Sequence, residues 1–142
     1  MKNYFLIIFT IFSVFTAQAE EESKTKDRIG PGKAVIAANE KEGFKLSEKA
    51  KNNLNITVKE VNSAVITVPK NSIISFLDFY STYRIRDGWY RAVEIEPNFE
   101  GDKATFSSSQ FKAGDKVVIE NSGLLRVVEL DVFGPEADAC VD

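Results

Sequence analysis

The chain of 142 residues contains no histidine, a single cysteine, Cys140, and a single methionine, the initiator. Histidine is the commonest general base and the commonest metal ligand, and soft metals prefer cysteine and methionine sulfur. One thiol also excludes an intramolecular disulfide, so the fold must depend on its apolar core, and pairing of Cys140 with another chain stays open. We therefore expect no enzymatic activity, no cofactor and no metal site.

Clustered basic residues are also missing. Lysine and arginine number 18 against 21 acidic residues, for a net charge of −3, and the basic residues are scattered along the chain. Proteins that bind nucleic acid neutralise phosphates with a concentrated basic surface. We therefore expect no nucleic-acid partner.

The chain has one long apolar run, residues 4–15. Lys2 precedes this run, and Ala17, Gln18 and Ala19 separate it from Glu20, an order that is typical of a signal peptide, 1–19, cut after Ala19. The run is shorter than the roughly 20 residues that a membrane-spanning helix needs, although retention as an anchor is the alternative. We therefore expect a periplasmic protein that is not an integral membrane protein after cleavage.

Composition divides the rest of the chain. Residues 20–43 are rich in charged residues and glycine, which predicts a flexible leader, with a short strand possible at 33–38. Residues 44–134 alternate between apolar runs and turn residues and are expected to form one β domain. Residues 135–142 form an acidic tail.

Local signals within the β domain predict one short helix and a series of strands. Ser47 is a suitable N-cap for a helix over 48–54, with Glu48 in its first turn. Asp87-Gly88 lies between two runs rich in aromatic and β-branched residues, 80–85 and 89–95, which predicts a two-residue hairpin turn. In the second run, alternation places Val93 and Ile95 on one face and Tyr90 and Ala92 on the other.

Further strands are predicted at short, regular spacing. The remaining segments are 44–46, 56–61, 64–68 with Pro69 at its end, 103–107, 116–120 and 124–133. This pattern is typical of a mainly β fold, either an antiparallel sheet or a small β-roll or barrel-like domain.

Four aromatic residues around the hairpin are candidates for contact with a partner: Tyr80, Tyr83, Trp89 and Tyr90. Tyrosine and tryptophan provide a large contact area and lose little entropy when they anchor an interface. The alternative is ordinary packing across paired strands.

Several motifs occur together in an order that resembles a known family. They are Phe44-Lys45-Leu46-Ser47, residues 55–61, residues 68–74, Asp87-Gly88-Trp89-Tyr90-Arg91-Ala92-Val93, residues 111–118 and Ser122-Gly123-Leu124-Leu125-Arg126. In order and spacing the last four resemble the C-terminal, membrane-proximal domain of the periplasmic adaptor subunits, or membrane fusion proteins, of resistance-nodulation-division efflux pumps. The first two are similar to the short segment that opens the mature part of heavy-metal adaptors of this family. The lipoyl-like, hairpin and barrel domains of full adaptors have no room between Val61 and Val68.

The resemblance implies a stand-alone, truncated form of this domain. It would act as a non-enzymatic periplasmic accessory or binding domain through protein–protein contacts, and the expected partner is an inner-membrane transporter or its adaptor. The alternative is an envelope protein that binds a small ligand or a metal ion.

Overall fold

The structure, a computed structural model, describes residues 28–134. The predicted signal peptide, the first part of the leader, the acidic tail and Cys140 lie outside the described residues. Ten strands and two helices occupy the described part: β1 (Val35–Asn39), β2 (Gly43–Leu46), α1 (Glu48–Leu54), β3 (Thr57–Glu60), β4 (Val65–Pro69), β5 (Ile74–Phe76), β6 (Phe79–Arg86), β7 (Trp89–Ile95), β8 (Asn98–Glu100), β9 (Lys103–Ser107), β10 (Lys116–Glu120) and α2 (Ser122–Phe133).

The strands form two open antiparallel sheets. The larger has seven strands, ordered β1-β2-β7-β6-β10-β3, with β5 added to one end of β6. The smaller has three strands in the order β4-β9-β8. The prediction of a mainly β fold with a short helix is confirmed. Pro69 ends β4, an edge strand, as its missing N–H requires.

The large sheet is the middle layer of three. One of its faces packs against both helices, in an apolar cluster that includes Phe44, Tyr83 and Leu125. The other face packs against the small sheet, in a cluster that includes Val93, Phe106 and Val117. Because neighbouring residues on a strand point to opposite faces, Val117 and Val118 fall into different clusters and the central strands are buried on both sides.

The Asp87-Gly88 hairpin forms as predicted. Asp87 and Gly88 take φ values of 50° and 80°, the two left-handed residues that a type I′ turn requires. Arg86 pairs with Trp89 across this turn, and the register continues to Tyr80 and Ile95. The predicted faces are also confirmed, since Val93 and Ile95 pack towards the small sheet while Tyr90 packs towards the helices.

Helix α1 also has its predicted bounds. Ser47 accepts a hydrogen bond from the Ala50 N–H at 3.2 Å and thereby caps the first turn. Asn55 ends the helix in the left-handed conformation, at φ 49°. The Asn121 side chain then donates to the carbonyl oxygens of Leu54 and Asn55 at 3.2 and 2.8 Å, which ties the end of α1 to the start of α2.

The prediction of a strand over 124–133 is wrong, because this segment is helix α2. Its β-branched residues favour a strand, but Leu125, Val128 and Val132 recur at helical spacing and all pack against the sheet. The hydroxyl of Tyr83 donates to the Glu129 carboxylate at 2.7 Å, and Arg126 pairs with the same oxygen at 2.6 Å. The helix is therefore held by tertiary contacts that its sequence does not display.

The predicted start of the domain at Phe44 is also too late. Strand β1 belongs to the segment expected to be leader, yet it pairs with β2 and buries Val35 in the helix-side cluster. Gly43 is buried as well. The β domain therefore begins with β1. Strands β5 and β8 are further elements that the sequence pattern does not predict.

Candidate functional site

The β5–β6 hairpin carries a group of exposed apolar side chains. Its two-residue turn, Leu77-Asp78, joins the paired residues Phe76 and Phe79. The exposed fractions are 64% for Phe76, 78% for Leu77 and 58% for Phe79. Leu77 also takes a φ of 53°, which residues other than glycine rarely adopt. Three large apolar side chains thus stand in solvent at one strained turn.

A groove lies beside this hairpin, with a volume of about 520 Å³. Its apolar lining comes from Phe79, Tyr80, Ile95 and Pro97, and its acids are Asp78, Glu94 and Glu96. Among residues 28–134, no lysine or arginine lines the groove. We call the hairpin surface the set Phe76, Leu77, Asp78, Phe79, Tyr80, Glu94, Glu96 and Pro97.

The position of Tyr80 is fixed by the small sheet. Its ring contacts the Phe99 ring edge-on, with centroids 5.3 Å apart, and Lys70 Nζ lies 5.3 Å from the centroid of the same Phe99 ring. Tyr80 nevertheless keeps 36% of its surface exposed. A residue that is braced on one side and exposed on the other is suited to contact, because little rotamer entropy remains to be lost.

Two of the four aromatic residues predicted for partner contact are core residues, and that prediction is wrong for them. Tyr83 is fully buried, and Tyr90 is buried with its ring stacked on Phe44 at a centroid distance of 5.8 Å. Both lie under the helices, in the cluster described above. They correspond to the alternative of packing within the sheet.

Trp89 is partly exposed, but it lies far from Tyr80. It follows the Asp87-Gly88 turn, at the opposite end of β6 from the Leu77-Asp78 turn. Arg86, which pairs with Trp89, lies six positions along β6 from Tyr80, roughly 20 Å of extended strand. Lys45 Nζ lies 4.8 Å from the Trp89 ring centroid. The sequence-predicted residues therefore do not form one site, and Tyr80 alone belongs to the hairpin surface.

Burial and hydrogen bonding both change the pKa of Tyr83. Burial raises the pKa of its hydroxyl, and the hydrogen bond to the negatively charged Glu129 raises that pKa further. The neighbouring Glu129 in turn raises the pKa of the Arg126 guanidinium. These hydrogen bonds join α2 to the centre of the large sheet, so we assign the trio a structural role.

The outer face of α2 is a second exposed apolar surface. It contains Leu124, Val127, Leu130 and Phe133, of which Val127 is the most exposed at 64%. These residues are separated by three positions each, so the row turns around the helix instead of forming one straight stripe.

Comparisons with known proteins give no match for this chain. No family model, no curated protein and no solved structure matches it. The site must therefore be judged on its own geometry.

Within residues 28–134, no group of three or more histidine, cysteine, aspartate or glutamate side chains is placed to hold a metal ion. In the same part of the chain, neither helix has the length and apolar character to cross a membrane.

The sequence gives only a partial signal for the hairpin surface. Residues 76–80, Phe-Leu-Asp-Phe-Tyr, are an apolar and aromatic run with one acid in the middle. Such a run is ordinarily buried, but here it forms the tip of the β5–β6 hairpin, where it is exposed. The acids Glu94 and Glu96 arrive from β7 and its end, far along the chain.

Proposed function

We propose that this chain is an exported, non-enzymatic accessory module that binds a protein partner through the hairpin surface. The observation that carries the proposal is the exposure of Phe76, Leu77 and Phe79 together at one turn. Soluble proteins rarely leave large apolar side chains contiguous in solvent unless the patch is a contact surface. A hairpin tip can insert such side chains into a pocket of the partner.

The negative charge of the hairpin surface indicates the kind of partner that fits it. Asp78, Glu94 and Glu96 surround the apolar side chains without a compensating base in the groove. Electrostatic complementarity favours a protein pocket that is apolar at its centre and lined by lysine or arginine at its rim. A membrane surface of anionic lipids would repel these carboxylates. A protein partner is therefore the better fit.

The family resemblance suggests which protein that is. A stand-alone domain similar to the membrane-proximal part of efflux adaptors would contact an inner-membrane transporter or its adaptor from the periplasm. The resemblance and the geometry are independent supports, since the motifs of the resemblance do not include residues 76–80.

The test is capture of the partner from envelope extracts of cells that produce the chain, with identification of the captured proteins. The wild-type chain should recover a transporter subunit. The double variant Phe76→Ser/Phe79→Ser should recover at least about tenfold less, because central apolar anchors dominate interface energies. Both substitutions remove exposed side chains, so the free energy of unfolding should stay within about 0.5 kcal/mol of the wild type.

The matched control is Val127→Ser on α2. Val127 and Phe76 have the same exposed fraction, 64%, so the control removes an equally exposed apolar residue from the other apolar surface. It should leave the recovery unchanged. Loss of the transporter with Val127→Ser but not with the hairpin variant would transfer the contact to α2. Recovery of no transporter component by the wild type would refute the proposed partner.

The alternative function is the binding of a small ligand or a metal ion. Calorimetric titration distinguishes it from protein contact. Copper, silver, zinc and calcium should produce no tight, stoichiometric heat with the whole chain. Tight, stoichiometric binding of any of these ions would favour the metal-binding function over protein contact.

A further inference from the structure

A second cavity, of about 610 Å³, lies at the opposite end of the large sheet from the hairpin surface. Its walls come from α1, from the Asp87-Gly88 turn and from the loop that precedes β10. The cavity volume lies within the range of about 300 to 1,000 Å³ that is typical of small-molecule sites. The proposed protein contact does not use this cleft.

The floor of the cleft is apolar and rigid. Ile56, Ile85 and Tyr90 line it and also belong to the helix-side core. Tyr90 is stacked on Phe44 and buried, so the floor cannot collapse without disturbing the core. Val58 of β3 completes this lining. The floor offers a preformed surface to an apolar or aromatic body.

The rim of the cleft is cationic. It contains the cations Lys51, Arg86, Lys112 and Lys116 and the acids Asp87 and Asp115. Arg86 and Asp115 neutralise each other, because Nε and Nη2 of the guanidinium donate to the two carboxylate oxygens at 2.7 Å each. The backbone N–H of Lys112 donates to the same carboxylate at 2.7 Å.

The remaining charges leave a positive excess. Lys51 pairs with the exposed carboxylate of Glu48 at 2.6 Å. Lys112 and Lys116 are exposed, and within residues 28–134 neither has an acidic group within 4.0 Å. Among the described residues that line the cleft, only the exposed Asp87 opposes them, and Glu60, which pairs with Lys116 across β3 and β10, lies outside this lining. In a chain whose net charge is −3, this cleft is a local site of the opposite sign.

We propose that the cleft binds a small organic anion, a carboxylate on an apolar or aromatic body. The body would lie on Ile56, Ile85 and Tyr90, and the carboxylate would face Lys112 and Lys116. Specificity for charge comes from the two lysines, while the floor contributes affinity that is independent of charge.

The test titrates the whole chain with 2-naphthoate and, separately, with its neutral counterpart 2-naphthamide. Binding is measured from the chemical shifts of the backbone amides in NMR spectra. We expect saturable binding of 2-naphthoate, with shifts concentrated at Gly88, Gly114 and Lys116. The double variant Lys112→Gln/Lys116→Gln should weaken 2-naphthoate at least about fivefold, the combined effect of two partly exposed charge contacts. Binding of 2-naphthamide should not respond to this variant.

The control is Lys49→Gln/Lys103→Gln, which removes the same charge from two exposed lysines that do not line the cleft. It should change the affinity for 2-naphthoate by less than about twofold. Equal binding of the two probes, an equal loss in the control, or shifts confined to the hairpin surface would each overturn the proposal. Because Phe76→Ser/Phe79→Ser leaves the cleft intact, failure here is distinguishable from failure of the protein contact.

Discussion

Gly43 lies directly against the carbonyl group of Tyr90, so close that a Cβ at Gly43 would overlap the carbonyl oxygen. Gly43 begins β2 at a φ of 99°, next to Phe44, which pairs with Tyr90 of β7. Because Gly43 has no side chain, β2 can approach the Tyr90 carbonyl closely at this junction.

The first prediction concerns this junction. Gly43→Ala should lower the free energy of unfolding by about 3 kcal/mol or more, because it adds a backbone clash to an unfavourable φ. The control Gly101→Ala also places alanine at positive φ, 60°, but in open space, and should cost only about 1–2 kcal/mol. Urea unfolding of both variants measures the difference. Equal losses would show that the contact with Tyr90 is unimportant.

The second prediction concerns Asp115. The hydrogen bonds from Arg86 hold the pKa of this carboxyl below its ordinary value, so the folded state binds the proton more weakly than the unfolded chain. The stabilisation is therefore complete above the unfolded pKa of about 4 and is lost as pH falls through the folded pKa. Asp115→Asn should cost about 3 kcal/mol at neutral pH, because it leaves Arg86 without its carboxylate.

The pH profile separates this pair from a general loss of packing. Below about pH 4, the stability of the wild type should fall towards that of Asp115→Asn. The exposed Asp102→Asn should stay within about 0.5 kcal/mol of the wild type throughout. A gap between wild type and Asp115→Asn that stays constant down to pH 2 would contradict the assignment.

The third prediction concerns the anchor of α2. Tyr83→Phe removes the hydroxyl that donates to Glu129 and should cost about 2 kcal/mol, the range for a bond to a charged acceptor. Tyr80→Phe, at an exposed position, should cost less than about 0.5 kcal/mol. Thermal unfolding monitored by circular dichroism compares the two variants.

Alkaline pH provides a second readout for Tyr83. Because its folded pKa is raised, the unfolded tyrosine ionises above about pH 10 while the folded one stays protonated, so stability falls as pH rises. Tyr83→Phe should show a smaller alkaline loss than the wild type. Tyr90, whose pKa is also raised by burial, remains in both proteins and contributes equally. Identical alkaline slopes would contradict the role of Tyr83.

Local signals predict the elements whose cause is local. Ser47 at the cap of α1 and Asp87-Gly88 at the turn have chemistry that acts within a few residues, and both are confirmed. Helix α2 is different, because its β-branched residues favour a strand and the partner of Glu129 is Tyr83, 46 positions away. A sequence does not display that contact.

Burial on both sides of the sheet explains the two wrong contact residues. Alternation correctly separates Tyr90 from Val93, but it cannot say whether either face is exposed. Here helices cover one face and the small sheet covers the other, so Tyr83 and Tyr90 are interior. The same ambiguity conceals Phe76 and Phe79, whose apolar character suggests the core and whose position at the tip of the β5–β6 hairpin leaves them exposed.

The central claim is that the hairpin surface contacts a transporter or its adaptor, and photo-crosslinking in intact cells tests it most directly. Phe79→p-benzoylphenylalanine places the cross-linker at an exposed aromatic position of the hairpin, and Val127→p-benzoylphenylalanine places it on α2. We predict a cross-link from position 79 to a subunit of an inner-membrane transporter or its adaptor, and none from position 127. Cross-links from 127 alone, or no protein adduct from 79, would contradict the claim.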